Sequence, residues 1–275
     1  MKAIPCAMLL LAVIGLCMAG LAVLSCYLRA LVLAKRYPFS AIYETRKAAE
    51  DYVCADKISP SLLQYAVWLE DQHFYQHPGY DPVAIKHAIR INLRSRSLQY
   101  GASTITQQLI KNLYFSFRKS LFRKGTEIFL AAMLEKTLTK AQVLELYLNV
   151  IDYGYRQWGI GNAARFYFGK PPAELTDNQA LILITMLPAP DWGNPLHSPK
   201  RFAAMRETSF RTLEFLKILT PEETEAIRNR RPVECLDEEL QIRKTVPQEM
   251  AETMENTLCR TLRQTVRQNK RGESV

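Results

Sequence analysis

Gly101-Ala102-Ser103-Thr104-Ile105-Thr106-Gln107-Gln108-Leu109-Ile110-Lys111-Asn112-Leu113-Tyr114 decides how most of this chain folds. Ser103 stands just ahead of Ile105, Leu109 and Leu113, apolar residues four apart, so the stretch predicts a helix capped by Ser103. Thr104, Gln108, Lys111 and Asn112 then share a polar face, because residues three and four apart on a helix lie one above the other. Hydroxyl, amide and ammonium groups together suit sugar hydroxyls and phosphate oxygens, although an ordinary amphipathic helix presents the same pattern. The flanking sequence repeats the helical signal. Ser59-Pro60 and Asp81-Pro82 each place a cap before a proline, opening helices that run towards Glu70 and to about Leu98. A long helix is predicted from about Lys119 to Leu138. Thr139 with Gln142, Thr176 with Gln179 and Thr220 with Glu223 have capping-box spacing. Strand signals are scarce, with no long alternating runs and no Asn-Gly or Asp-Gly hairpins. The expected fold is mostly α.

Charge is placed unevenly. Between Asp81 and Glu127 lie forty-five residues with no acid and nine bases: Lys86, Arg90, Arg94, Arg96, Lys111, Arg118, Lys119, Arg123 and Lys124. Glu70-Asp71 precedes this tract and Glu127 closes it. Such a frame suits an enzyme that neutralises an anionic substrate and moves protons with carboxylates, while a solvated helix face accounts for the charge equally well. The net charge is +9, and the part after residue 36 holds 32 basic against 27 acidic residues. The tract therefore exceeds the whole remaining excess. Charge this local fits a site better than a general affinity for nucleic acid, and no nucleic-acid partner is expected.

Residues 3 to 28 carry no charge. As a helix they span about 39 Å, more than the ~20 residues a bilayer core needs, so residues 1–36 are expected to form a transmembrane anchor. A signal peptide has a shorter apolar core. Val23-Leu24-Ser25-Cys26 faintly resembles a lipoprotein cleavage site, which Leu24 fits poorly. Arg29, Lys35 and Arg36 outnumber Lys2, so charge counting mildly favours a cytoplasmic remainder. Cys54, Cys235 and Cys259 are far apart and imply neither a disulfide framework nor zinc.

Glu70-Asp71-Gln72-His73-Phe74-Tyr75-Gln76-His77-Pro78-Gly79-Tyr80-Asp81 packs two adjacent acids and two histidines around a turn. His73 and His77 have metal-ligand spacing, but Pro78-Gly79 opposes one regular helix and no third ligand is evident. No protein metal site is expected. From Pro199 the chain becomes charged and amphipathic, and Met250, Met254, Leu258, Leu262 and Val266 form a stripe that reads as a packing face.

Together these segments resemble the successive motifs of the peptidoglycan glycosyltransferases, the glycan-polymerising domains of class A penicillin-binding proteins and their monofunctional relatives. The match runs over Glu70 to Asp81, then Gly101 to Asn112, then Arg123-Lys124-Gly125-Thr126-Glu127. Lys140 through Val143-Leu144-Glu145-Leu146-Tyr147-Leu148-Asn149 follows, then Gly159-Ile160 to Ala163-Ala164 and Tyr167-Phe168-Gly169-Lys170. It covers roughly residues 55 to 200, in order.

The resemblance implies a lysozyme-like, two-lobed helical domain over 37–200, with a membrane-embedded jaw and a charged helical extension over 201–275. It implies that lipid II units are joined on the outer face of the bacterial cytoplasmic membrane by inverting transfer with release of polyprenyl pyrophosphate. It sets aside the charge count by placing the catalytic part on the periplasmic or outer side. Glu70 would be the general base. Glu127 would assist leaving-group departure or organise the bases around it. Lys111, Arg123 and Lys124 would stabilise the pyrophosphate, with a divalent cation (Mg or Mn) as the alternative and no organic cofactor. Asp71, Phe74, His77, Thr104, Gln108 and Asn112 would shape the cleft and position sugars. Expected partners are lipid II, the growing strand, the membrane and other wall-synthesis proteins.

Two carboxylates also suit a lysozyme-like hydrolase, which needs no phosphate tract. A third reading is a membrane-anchored scaffold without activity. Ser116-Phe117-Arg118-Lys119 and Lys244-Thr245-Val246 do not make up a transpeptidase site, so a monofunctional enzyme is expected.

Overall fold

The computed structural model describes residues 6–95, 101–115 and 120–229. Among them no strand occurs, only an isolated bridge between Asp152 and Trp158. The helices are α1 (Cys6–Arg36), α2 (Phe39–Lys47), α3 (Pro60–Glu70), α4 (Pro82–Ser95), α5 (Ile105–Tyr114) and α6 (Leu121–Leu134). They continue with α7 (Lys140–Val150), α8 (Ile160–Phe168), α9 (Asp177–Met186), α10 (Pro199–Phe215) and α11 (Pro221–Asn229). The mostly helical expectation holds.

Capping sets the boundaries. Thr104, not Ser103, caps α5: its hydroxyl accepts from the Gln107 N–H while the Gln107 side chain accepts from the Thr104 N–H. The same reciprocal pairs stand at Thr139–Gln142 and Thr176–Gln179. They also stand at Thr220–Glu223. α6 is shorter than expected because Ser120 caps it and its helix ends at Leu134. Ser116 to Lys119, Arg96 and residues 230–275, with the apolar stripe and Lys244-Thr245, lie outside the described residues.

α9 is the central post. Every residue from Ala180 to Met186 is apolar or hydroxylic and buried, with α3 and α10 packed against the helix. The expected boundary after residue 200 falls two residues into α10, whose Phe202, Phe210 and Leu213 are buried in the common core. α5 packs on α6 and α7. The segment 39–57 is pinned to α7 by side chains: Glu145 accepts from the Tyr52 hydroxyl at 2.7 Å and the Ala55 N–H at 2.7 Å. Asn149 exchanges two hydrogen bonds with the Val53 backbone.

α1 meets the domain along part of its length only. Cys26 lies against Phe122, Tyr27 meets the Phe129 ring at 5.4 Å, and Ala34 shares a groove with Met133 and Thr137. α1 and α6 therefore run parallel from Cys26 onward. Before Cys26, about 20 residues stand free of the domain, a length of ~30 Å that equals a bilayer's hydrocarbon thickness. Met8, Leu11, Leu16, Met18 and Leu21 expose their side chains there, and Leu10–Arg36 is long and apolar enough to cross a membrane. The protein is membrane-anchored, with Leu121 at the start of α6 almost wholly exposed next to the docking seam.

Gly125 makes that seam close: a Cβ there would stand 2.8 Å from the Cys26 sulfur. Gly125→Leu is expected to wedge α1 away, costing about 1–3 kcal/mol of packing. The Cys26 thiol, now buried, should then react with a membrane-permeant maleimide faster than in the parent protein. An unchanged labelling rate would show that the seam tolerates the added side chain.

Candidate active site

Glu70 ends α3 and sits at the edge of a cleft of about 310 Å³ lined by Ser103, Gln107, Gln108, Lys111, Lys124, Glu127, Leu187 and Pro188. The expected base, the α5 polar face and the α6 charges thus converge in one cleft. The Glu70 carboxylate accepts a hydrogen bond of 2.7 Å from Gln108 Nε2. Burial raises the Glu70 pKa, the Gln108 bond and Lys111 pull it back down, and Asp71 pushes it up. A half-buried base with its pKa displaced upward is well matched to taking a proton near neutral pH.

Glu127 occupies a different environment. It is 2% exposed and paired with Arg123 at 2.9 Å and Lys124 at 3.3 Å. Lys124 also donates to Ser103 at 2.7 Å. Burial depresses the Lys124 pKa while Glu127 opposes the shift. Lys111 is exposed in the cleft, and its ammonium has no hydrogen-bond partner among the described residues. One free cation and two held by a buried carboxylate make a local anion site.

Of the residues expected to position sugars, Asp71 and Thr104 line a second cavity of about 220 Å³ that shares Glu70, Gly101 and Ser103 with the cleft, whereas Phe74 and His77 line neither. Asp71 accepts from His77 Nε2 at 2.9 Å and from the Ile105 N–H at 3.0 Å. The Gly79 N–H donates to His77 Nδ1 at 3.1 Å, so the ring is the neutral tautomer with its proton on Nε2. Thr104 donates to the Gly79 carbonyl at 2.7 Å. Phe74 is fully buried with the Lys140 ammonium 4.4 Å from its ring centre. These residues hold the Glu70 turn onto α5. Asn112 is half-buried on α5 and does not line the cleft.

No role was legible in the sequence for several residues in and behind the cleft. Tyr147 donates to Gln108 Oε1 at 3.1 Å from a fully buried position. Lys140 bridges the His77 carbonyl and Glu135, which also accepts from Thr106. Leu187 and Pro188 come from the far end of α9 and carry no local signal. Tyr147 could have been found as the residue one turn before Ile151 on α7 whose hydroxyl, in a buried apolar row, needs a partner.

No group of three or more His, Cys, Asp or Glu is arranged to hold a metal ion among the described residues. His73 pairs with Asp81 at 2.8 Å, and Glu127 is occupied by two cations. Of the cleft's two carboxylates, Glu70 and Glu127, the second is already engaged by Arg123 and Lys124.

Residues 38–214 match the model of the Transglycosylase family. The chain belongs to this family. Penicillin-binding protein 1A of Escherichia coli (strain K12) is 45% identical over 154 residues, covering 56% of this chain and 18% of that protein. A biosynthetic peptidoglycan transglycosylase of Thiobacillus denitrificans is 41% identical, covering 51% of this chain and 61% of its relative. Another protein of that name, from Haemophilus influenzae (strain PittEE), is 38% identical and covers 58% and 73%. Against the penicillin-binding proteins 1A of Escherichia coli and Vibrio cholerae, this chain spans only 18% and 21% of their length. The matched region of this transglycosylase-family chain takes in α2 through nearly all of α10, and so contains both the cleft and the helices that build it.

Proposed function

We propose that this chain is a peptidoglycan glycan-strand polymerase that joins lipid II units by inverting glycosyl transfer. The observation that carries the reading is the convergence of Glu70, Lys111, Lys124 and Glu127 in one cleft beside α6, the helix docked on the membrane anchor. Glu70 takes the proton from the 4-hydroxyl of the acceptor sugar. That oxygen attacks the anomeric carbon of the donor strand from the opposite face, and the bond to pyrophosphate breaks. Lys111, Arg123 and Lys124 receive the charge that develops on the leaving polyprenyl pyrophosphate, where preorganised cations act with little reorganisation. The double ion pair of Glu127 supports an organising role for that carboxylate. No step is routed through a metal ion.

The lipid-linked substrate explains the rest of the tract. α4 buries only Ala88 and exposes Val83, Ile89 and Leu93 beside Lys86, Arg90 and Arg94. An amphipathic basic helix of this kind suits the surface of an anionic bilayer, where each base contributes about 1 kcal/mol. The catalytic part belongs on the outer face of the cytoplasmic membrane, where lipid II is polymerised, with other wall-synthesis proteins as neighbours.

The test is incubation of the detergent-solubilised protein with labelled lipid II, with and without moenomycin, which mimics the donor strand. A moenomycin-sensitive ladder of long glycan is the expected product. A folded protein that binds moenomycin but makes no polymer would point to a scaffold, and shortening of preformed glycan would point to hydrolysis.

A further inference from the structure

We infer that Tyr147 is a positioning residue for the base, holding the Gln108 amide in the one orientation that serves an ionised Glu70. The inference rests on the reading of Glu70 as that base. A primary amide can face a carboxyl group in two ways. Its NH₂ donates to a carboxylate, whereas its carbonyl accepts from a protonated carboxylic acid. Gln108 therefore has two settings, one matched to each protonation state of Glu70.

Tyr147 selects between them. Its hydroxyl donates to Gln108 Oε1 at 3.1 Å, which leaves Nε2 pointing at Glu70 Oε2 at 2.7 Å. If the amide turned over, the tyrosine oxygen would face the NH₂ and could only accept, and its own proton would need another acceptor. Gln108 Oε1 is the acceptor it uses. Tyr147 is fully buried, so water cannot supply another, and an unmade hydrogen bond in such a place is costly. Burial, with Glu70, Tyr153 and Asp71 nearby, also keeps the phenol protonated well beyond neutral pH, so it remains a donor. Tyr153 does not share the task, since its hydroxyl is directed to the Leu148 carbonyl.

The electrostatic surroundings of Glu70 are otherwise complete without Tyr147. Asp71 adjoins it on its own turn, Lys111 reaches it from α5, and Lys124 and Glu127 line the same cleft from α6. Tyr147 on α7 and Tyr153 beyond α7 are the remaining titratable neighbours, and Leu187 and Pro188 close the wall without charge. None of these charged groups orients the Gln108 amide. Removing one oxygen from Tyr147 leaves the ring in place and takes away only the selection.

The experiment is the pH profile of lipid II polymerisation by full-length Tyr147→Phe. Its acidic limb is expected to move up by about one pH unit, so that the rate below both midpoints falls about tenfold while KM changes less than twofold. Gln108→Ala should shift the limb in the same direction, and the double variant should shift it no further than either alone. A rate lowered equally at every pH, or shifts that add, would reduce Tyr147 to ordinary packing and overturn the inference. The titration of the Glu70 carboxyl gives an independent readout, followed by NMR on glutamate-labelled protein with Glu70→Gln supplying the assignment. A higher midpoint in Tyr147→Phe sustains the relay even if Glu70→Gln proves active and the base reading fails. An unchanged midpoint overturns the relay even if Glu70 is the base.

Discussion

Glu70→Gln is expected to abolish glycan polymerisation, lowering the rate by about 10³-fold or more, in the range lost when a positioned general base is removed. The amide keeps the size of the side chain and can still bond Gln108, so the cleft retains its shape. Lys111, Arg123 and Lys124 are untouched, and moenomycin should bind within a few-fold of its parent affinity. Stability should move the opposite way. The Glu70 pKa is raised in the folded protein, chiefly by burial. Its contribution is therefore fully present below the free carboxylate's pKa and is lost as pH rises through the folded value. At neutral pH the parent bears the cost of an ionised, half-buried group, and the glutamine variant does not. Its Tm should rise by about 2–4 °C, a gain of about 1 kcal/mol for a chain of this size. Wild-type polymerisation by this variant would remove Glu70 from the mechanism.

Gly79→Ala is expected to be among the most damaging small substitutions in the domain. Gly79 has φ +93°, a left-handed conformation that L side chains rarely adopt, and an added Cβ would stand 2.6 Å from the Ala131 carbonyl oxygen. That neighbour is the backbone of α6 and cannot swing aside. Strain and clash together should cost about 3 kcal/mol, lowering Tm by about 6–12 °C. Activity should fall further than stability alone requires. The Gly79 N–H holds His77, and the Gly79 carbonyl holds Thr104, so moving this turn disturbs the ties that seat Glu70 against α5. Thermal melts and polymerisation rates at a temperature where both proteins are folded would separate the two effects. A parent-like melt would show that α6 shifts to admit the methyl group.

How much of this was legible in the sequence depended on whether the cause was local. The helices α3, α4, α5, α7, α9 and α11 announced themselves through caps and prolines, which act within four residues, although Ser59 makes no capping bond and the α5 cap is Thr104 rather than Ser103. The short helices α2 and α8 gave no such signal. The anchor was legible from its uncharged length. Its docking on α6 was not, because Cys26 and Gly125 are nearly a hundred residues apart and neither is unusual in its own segment. The basic tract was legible as a charge pattern but not as two devices. Lys111 and Lys124 line the cleft and Arg123 pairs with Glu127 in its wall, whereas Lys86, Arg90 and Arg94 stay exposed on α4. Within the resemblance, Asp71, His77 and Thr104 read as sugar contacts. Burial sets His77 away from the cleft, whereas Asp71 and Thr104 are tied to His77, the Ile105 N–H and the Gly79 carbonyl and still line the cavity beside Glu70. Lys140 and Tyr147 were visible as residues of a motif, but their partners lie on other helices, and only packing brought them together.

The central claim is that one cleft holds the attacking hydroxyl at Glu70 and the departing pyrophosphate at the α5 and α6 cations. The most direct measurement is the structure of full-length Glu70→Gln in complex with lipid II in a lipid or detergent environment. A sugar 4-hydroxyl is expected within hydrogen-bond reach of residue 70, with a pyrophosphate contacting Lys111 and Lys124 or Arg123. Pyrophosphate bound away from those three side chains, or no sugar hydroxyl near residue 70, would contradict the claim.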